Sequence, residues 1–342
     1  MAEEQSKWTL AQLAHEAGAS ASTVSKVING RPDVSAATRA RVLAVLDRTG
    51  YRSPVQQRRA LEDVPVVEVV LDSLNSAYTA EVVTGILGYA ADQGVEVLVT
   101  AIGAGGSRPL NPEQRAQRIV DQGRTGLILV TSAFGNGPLD AFHRRGVPVV
   151  VIDPLNPPPD EVVSIGSTDW TGAKDATSHL LGLGHRRIAF LSGPESMECN
   201  QARLHGYLAA LRAAGVAVDG RLIIPGSFRT DDGARRLGEL LRLEPRPTAV
   251  FAASDTIALG VMSEALRRQL RVPEDLSVVG FDGIRQGAES VPALTTVAQP
   301  LREIGRAALR VVLRQVKGEV PDSRRVELAT RLLVRESTAA IE

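Results

Sequence analysis

Residues 9–29, T-L-A-Q-L-A-H-E-A-G-A-S-A-S-T-V-S-K-V-I-N, read as two short helices joined by a glycine-containing turn. Leu10, Leu13, Ala14 and Ala17 recur at helical spacing and make one apolar stripe. Gly18 can take the left-handed conformation that ends a helix. Ser20 then offers a side-chain oxygen to the free N–H groups of the next helix. That second helix keeps Val24, Val27 and Ile28 for a core, while Ala21, Ser22, Ser25, Lys26 and Asn29 form a face of short or polar groups. A helix with such a face, starting directly after the turn, suits a DNA major groove. The plainer alternative is a helical hairpin with a solvated face.

A third helix follows. Ser35 in V-S-A-A-T-R is its N-cap, and Val42, Leu43, Val45 and Leu46 are its buried face, up to Gly50. Three helices in so short a stretch bury little surface, which suits a small headpiece. Pro54 and Pro65 bracket a polar linker carrying Arg52, Arg58 and Arg59. The chain of 342 residues has 39 basic and 39 acidic side chains, yet residues 1–62 hold nine Lys/Arg against six Asp/Glu. A modestly basic module on a slightly acidic body fits a protein that touches phosphate at one end only. The single cysteine, Cys199, excludes an internal disulfide and points to a reducing cytoplasm. Neither a secretory leader nor an apolar run long enough to span a membrane is visible, so no membrane association is expected.

From Val66 the pattern becomes short β-branched runs alternating with amphipathic stretches. Strands are predicted at 66–71, 95–100, 126–130 and 147–152, with helices near 78–92, 113–123 and 139–145. The alternation repeats with strands at 187–192, 248–253 and 277–282 and helices near 169–183, 200–214, 232–242 and 256–268. Such alternation means parallel sheets built by right-handed crossovers, here two successive α/β lobes with a cleft between them. Ligands of open parallel sheets bind beyond the carboxyl ends of the strands, where Asp72, Asp153, Asp255 and Asp282 fall.

The chain resembles bacterial transcription repressors of the lactose/galactose repressor family over nearly its whole length. The resemblance is carried by residues 9–29, by V-S-A-A-T-R-A-R-V, G-Y-R and G-H-R-R-I-A-F-L-S-G-P, and by R-L-H-G-Y and P-T-A-V-F-A-A-S-D-T-I-A-L-G. V-P-E-D-L-S-V-V-G-F-D and P-A-L-T-T-V-A-Q-P complete it. It implies a fold of two doubly wound parallel-sheet α/β lobes, like a periplasmic sugar-binding protein, behind an all-α helix-turn-helix headpiece. The implied domains are a headpiece at 1–51, a hinge at 52–64 and an effector-binding and dimerisation core at 65–342. Within the core, one lobe takes about 65–167 and 299–325, the other about 168–298 and 326–342.

The implied partners are double-stranded operator DNA, a small-molecule effector and a second copy of the chain. Only T-A-A-I-E follows residue 337, too short for a heptad tail joining two dimers. Ala21, Ser22 and Lys26 match positions that face base edges, and Lys26 stands where many members carry Arg, whose bidentate fork it lacks. Thr9, Leu10, Ser20, Thr23, Asn29, Ser35, Tyr51 and Arg58 belong to the same implied DNA surface. Ser20 has a plainer reading as a cap alone. In many members a Leu nine positions after the hinge Tyr wedges into the minor groove. Here Pro54 comes one residue later than usual, so Leu61, ten positions on, is read as the wedge; Ala60 is the alternative.

Sugars are held by carboxylates and arginine on adjacent hydroxyls and by an aromatic ring against the pyranose face. Arg203, Phe228, Ser254, Asp255 and Asp282 are the implied contacts in one lobe; Asp72, Asn75 and Tyr78 line the other, and Gln299 lies near a crossover. Asp255 has a plainer reading as a helix cap, and Arg203 with Asp282 as a structural ion pair. The effector is expected to be a sugar that releases the operator, and an oligosaccharide in particular, because the lobes most resemble actinobacterial-type members. A purine or protein corepressor is the alternative, and a transport-type sugar-binding protein is the rival from another class. No enzyme, cofactor or metal is expected. G-A-G-G-S-R-P (103–109) fits no phosphate-loop pattern, and the five histidines lack metal-ligand spacing.

Overall fold

The computed structural model describes residues 8–28, 31, 34–49, 64–101, 111–131 and 136–341. The chain divides into two compact units, Met1–Val64 and Pro65–Glu342.

The first unit contains α1 (Leu10–Glu16), α2 (Ala21–Ile28) and α3 (Ala36–Thr49). A reciprocal capping box opens α1: the Gln12 N–H donates to Thr9 Oγ1 at 3.3 Å, and the Thr9 N–H donates to Gln12 Oε1 at 2.8 Å. Gly18 turns the chain with φ +56°. Ser20 Oγ accepts from the Thr23 N–H at 3.1 Å and Ser35 Oγ from the Thr38 N–H at 3.3 Å, so α2 and α3 are capped as well. Leu13, Ala14, Ala17, Val24, Val27, Val42 and Val45 form the core.

Two expected core residues are not in it: Leu10 is 38% and Leu43 45% exposed. Three short helices can cover only one narrow stripe on each. Leu43 lies about 100° of helix from Val42 and faces outward, and Leu10 projects from the first turn of α1, beyond the contact.

The second unit begins with β1 (Val66–Leu71), α4 (Ala77–Gln93), β2 (Glu96–Ala101), α5 (Pro112–Asp121), β3 (Gly126–Val130), α6 (Asn136–His143), β4 (Val149–Ile152) and β5 (Val163–Ser167). It continues with α7 (Asp169–Gly182), β6 (Ile188–Leu191), α8 (Glu198–Ala213), β7 (Ile223–Ile224), α9 (Thr230–Leu240), β8 (Ala249–Ala252), α10 (Asp255–Arg267) and β9 (Ser277–Asp282). It closes with α11 (Arg285–Glu289), β10 (Thr295–Ala298), α12 (Leu301–Val316), β11 (Arg325–Leu328) and β12 (Arg331–Leu333).

One sheet runs β11-β5-β4-β3-β1-β2, all parallel; the other runs β12-β10-β9-β8-β6-β7, parallel except for β12. Helices cover both faces, so β3 and β4 are apolar and buried throughout. The chain passes between the sheets after Ser167, after Ala298 and after Leu328. The last passage corrects the expected boundary at 325/326: Arg325–Leu328 pair in parallel with Ser164–Ser167, so that strand stays in the first lobe.

Helix α12 returns from the second sheet to pack on the first lobe beside α4. The helices meet backbone to backbone: a Cβ on Gly85 would lie 2.0 Å from the Arg302 carbonyl oxygen, and one on Gly305 2.1 Å from that of Val82.

Candidate functional site

On the first unit, the start of α2 presents Ala21, Ser22 and Lys26 on an exposed surface. Thr9, Ser20 and Ser35 are also exposed and Thr23 is half-buried. Ser20 Oγ lies 2.8 Å from both Ser22 Oγ and Thr23 Oγ1, so one cap organises the hydroxyls of the helix entrance. The expected positions Asn29, Tyr51, Arg58 and Leu61, with Ala60, lie outside the described residues.

In the second unit a cavity of about 200 Å³ opens between the lobes. Asp72, Thr131 and Asp153 reach it from just beyond β1, β3 and β4, and Asp282 from the end of β9. These are the carboxyl ends of parallel strands. Tyr78 lines it from α4, Arg203 from α8, and Phe228 and Ser254 from loops of the second lobe. Thr131, Asp153 and Asp282 hold φ values of 45°, 43° and 122°. Non-glycine residues rarely adopt such angles, and strain of this kind gathers at ligand sites.

Arg203 organises the floor. Its Nε donates to Asp169 Oδ1 at 2.8 Å and its Nη1 to the Ala253 carbonyl at 2.7 Å, while Nη1 stands 3.5 Å from Asp282 Oδ1. The guanidinium lies over the Phe281 ring, 3.9 Å from its centroid. Tyr78 donates its hydroxyl to Asp153. One cation thus faces three buried carboxyls, Asp153, Asp169 and Asp282. Burial pushes the Asp282 carboxyl up to about 8 against the pull of Arg203, and Asp255 adds to the rise. Burial and then the neighbouring Asp169 push Asp153 up to about 7.

Three expected contacts stand elsewhere. Asp255 is fully buried and turned from the cavity: its Oδ2 accepts from the N–H groups of Gly283 and Ile284, each at 2.8 Å, and Oδ1 accepts from Thr296. It anchors the loop behind Asp282. Nor does it cap α10; Ser254 does, accepting from the Ile257 N–H at 3.2 Å. Asn75 is exposed, and its neighbours Ser73 and Ser76 line the cavity instead. Gln299 is buried between the lobes, taking the Ser167 hydroxyl at 2.8 Å on Oε1 and donating to Asp282 at 2.8 Å from Nε2. Thr131 and Asp169 are added by the structure. Thr131 directly follows the strand G-L-I-L-V and was accessible to the strand-end rule; Asp169, known only through its contact with Arg203, was not.

Phe228 owes its position to a buried ion pair. Arg236, with no exposed surface, donates to Asp232 and, at 2.7 Å, to the Ser192 carbonyl. Asp232 in turn accepts from the Ser227 N–H and its hydroxyl. These bonds hold the loop before α9 against Gly193, where a Cβ would lie 2.3 Å from the Phe228 ring.

A unit whose described helices take helix-turn-helix form and a two-lobed α/β core with an interlobe cavity define the class of a ligand-responsive DNA-binding regulator. Residues 9–53 match the model for bacterial regulatory proteins of the lacI family, and residues 177–338 the periplasmic binding protein-like domain. The chain is 34% identical to the HTH-type transcriptional repressor CytR of Escherichia coli (strain K12) over 338 residues, 97% of each chain. A solved transcriptional regulator CelR–cellobiose complex is 32% identical, with TM-score 0.72 and 96% of this chain and 99% of that one covered. A lac repressor dimer bound to operator and the anti-inducer ONPF is 27% identical, with TM-score 0.76 and 98% and 100% covered. The chain belongs to the lacI family of bacterial transcriptional regulators.

Proposed function

We propose that this regulator represses transcription as a homodimer on an operator and is released when a sugar fills the interlobe cavity. The carrying observation is Arg203 among Asp153, Asp169 and Asp282, with Phe228 lining the same cavity. Carboxyls accept from hydroxyls, the guanidinium donates, and the ring covers an apolar sugar face. Among the described residues that line the cavity the one cation is Arg203, already engaged by Asp169 and Asp282, which disfavours an anionic effector. The relative solved with cellobiose supports a sugar as the ligand class. Bases are read by Ala21, Ser22 and Lys26, with Thr9, Leu10, Ser20, Thr23 and Ser35 at the phosphates. We read the chain as a regulator and not an enzyme, acting in the cytoplasm where its DNA is. Among the described residues, no helix is long and apolar enough to cross a membrane.

The test is fluorescence anisotropy with a duplex selected by the protein from a random-sequence pool. Binding should be sequence-specific, weaken with salt, and be released by a sugar. Release by no sugar, or tightening by one, would overturn the inducer reading.

A further inference from the structure

A second cavity, of about 210 Å³, adjoins the first. The two share Asp153 and Cys199, a carboxyl and a small thiol, as their common wall. Neither cavity alone reaches the ~300 Å³ at which ligand sites begin, but both together pass it. Trp170, the second residue of α7, lines the second cavity and is 43% exposed. Its indole gives this cavity an aromatic surface, large and rigid with a polar N–H, of the kind that packs against a ligand ring. Lys174, one turn along the same helix, sits 5.3 Å from the ring centroid and supports it.

Another part of the lining is held in place by hydrogen bonds. Arg325 donates from Nη1 to the Val162 carbonyl at 2.7 Å and from Nη2 to the Pro158 carbonyl at 2.6 Å. The proline-rich loop 154–159 is thereby tied to β11. Glu198, exposed at the start of α8, adds an acceptor on the rim.

We propose that the second cavity is a subsite for a further sugar ring, with Trp170 as its stacking surface, so that the effector is a disaccharide or longer glycan. The glycosidic link passes Asp153 and Cys199, and Asp153 is available to hydroxyls of both rings. This rests on the reading of the first cavity as a sugar site.

The full chain is titrated calorimetrically with glucose and cellobiose, xylose and xylobiose, and galactose and lactose. At least one disaccharide should bind more tightly than its monosaccharide. Trp170→Ala should weaken that disaccharide roughly tenfold, the size of one aromatic contact, and leave the monosaccharide unchanged. Trp170→Phe should restore most of the loss. A disaccharide that binds no better than its monosaccharide, or one indifferent to Trp170→Ala, overturns the subsite while the sugar reading stands. If no sugar binds, the sugar reading itself fails and takes the subsite with it.

Discussion

Asp282 accepts a 2.8 Å hydrogen bond from Gln299, whose amide oxygen in turn takes the hydroxyl of Ser167 in the other lobe. A carboxyl of the cavity floor is thus one side chain away from the last residue of β5. A ligand that re-engages Asp282 should also alter this bridge, and the expected outcome is that cavity occupancy is coupled to lobe orientation. Gln299→Leu should keep sugar binding within a few-fold. It should erase most of the ligand-induced change in operator affinity, a coupling of about 1–3 kcal/mol. Anisotropy with and without sugar checks this, and an undiminished ligand response would show that the coupling runs elsewhere.

The buried carboxyls make stability depend on pH. Asp153 and Asp282 are pushed up to about 7 and about 8 from an ordinary 3.8. Between 3.8 and these values the folded chain holds protons that the unfolded chain has released, so stability falls as pH rises towards them and levels off above. His179 and His185 lie below their ordinary 6.5 through burial and oppose this only in the acid range. The thermal midpoint should therefore fall most clearly from about pH 6.5, where the histidines cease to oppose, to about 8, and Asp282→Asn should flatten that fall. A midpoint that rises across this window would contradict the electrostatic account.

The Asp232–Arg236 pair should set the affinity for the effector through Phe228. Asp232→Ala frees Ser227 and leaves Arg236 buried without its carboxylate, a change costing about 3–5 kcal/mol in buried pairs. Phe228→Ala, which leaves the pair intact, should lower sugar affinity without that loss of stability. Calorimetry and thermal denaturation together separate the two; equal destabilisation by both variants would show that Phe228 is core and not cavity lining.

Gly305→Ala places a methyl against the Val82 carbonyl, 2.1 Å away. The α4–α12 crossing has no room to absorb it, so stability should drop by about 1–3 kcal/mol, read as a lower denaturation midpoint. No change would mean that the helices part easily.

Much of this architecture was legible in the sequence because strands covered on both faces read as unbroken apolar runs, such as G-L-I-L-V. Strand β5, V-S-I-G-S, escapes that rule: Ser164 and Ser167 interrupt its apolar pattern, yet the Ser167 hydroxyl is satisfied by Gln299, 132 residues away. Helix α12 carries Leu301, Ile304, Ala308 and Val312 at helical spacing, but nothing local announces that it crosses back to the first lobe. Asp255 and Asp282 look alike as acceptors at strand ends. The N–H groups of Gly283 and Ile284 and the Thr296 hydroxyl turn Asp255 inward, and their approach is a property of the fold. Leu10 and Leu43 fail for the opposite reason, since local spacing promised burial that the contacts among the described helices α1, α2 and α3 do not provide.

On the DNA side, Lys26→Ala should cost roughly 1–3 kcal/mol of discrimination at one base pair of the selected duplex. Anisotropy on that duplex and on scrambled DNA measures it. If the ratio of specific to random binding is unchanged, Lys26 touches phosphate alone.

The central claim is that the cavity around Asp282 controls the operator. Its most direct measurement compares wild type and Asp282→Ala by operator anisotropy during titration with the tightest-binding sugar. Both proteins should bind the operator alike without sugar, the wild type should be released, and Asp282→Ala should stay bound. Release of Asp282→Ala at the wild-type midpoint would place the effector site elsewhere.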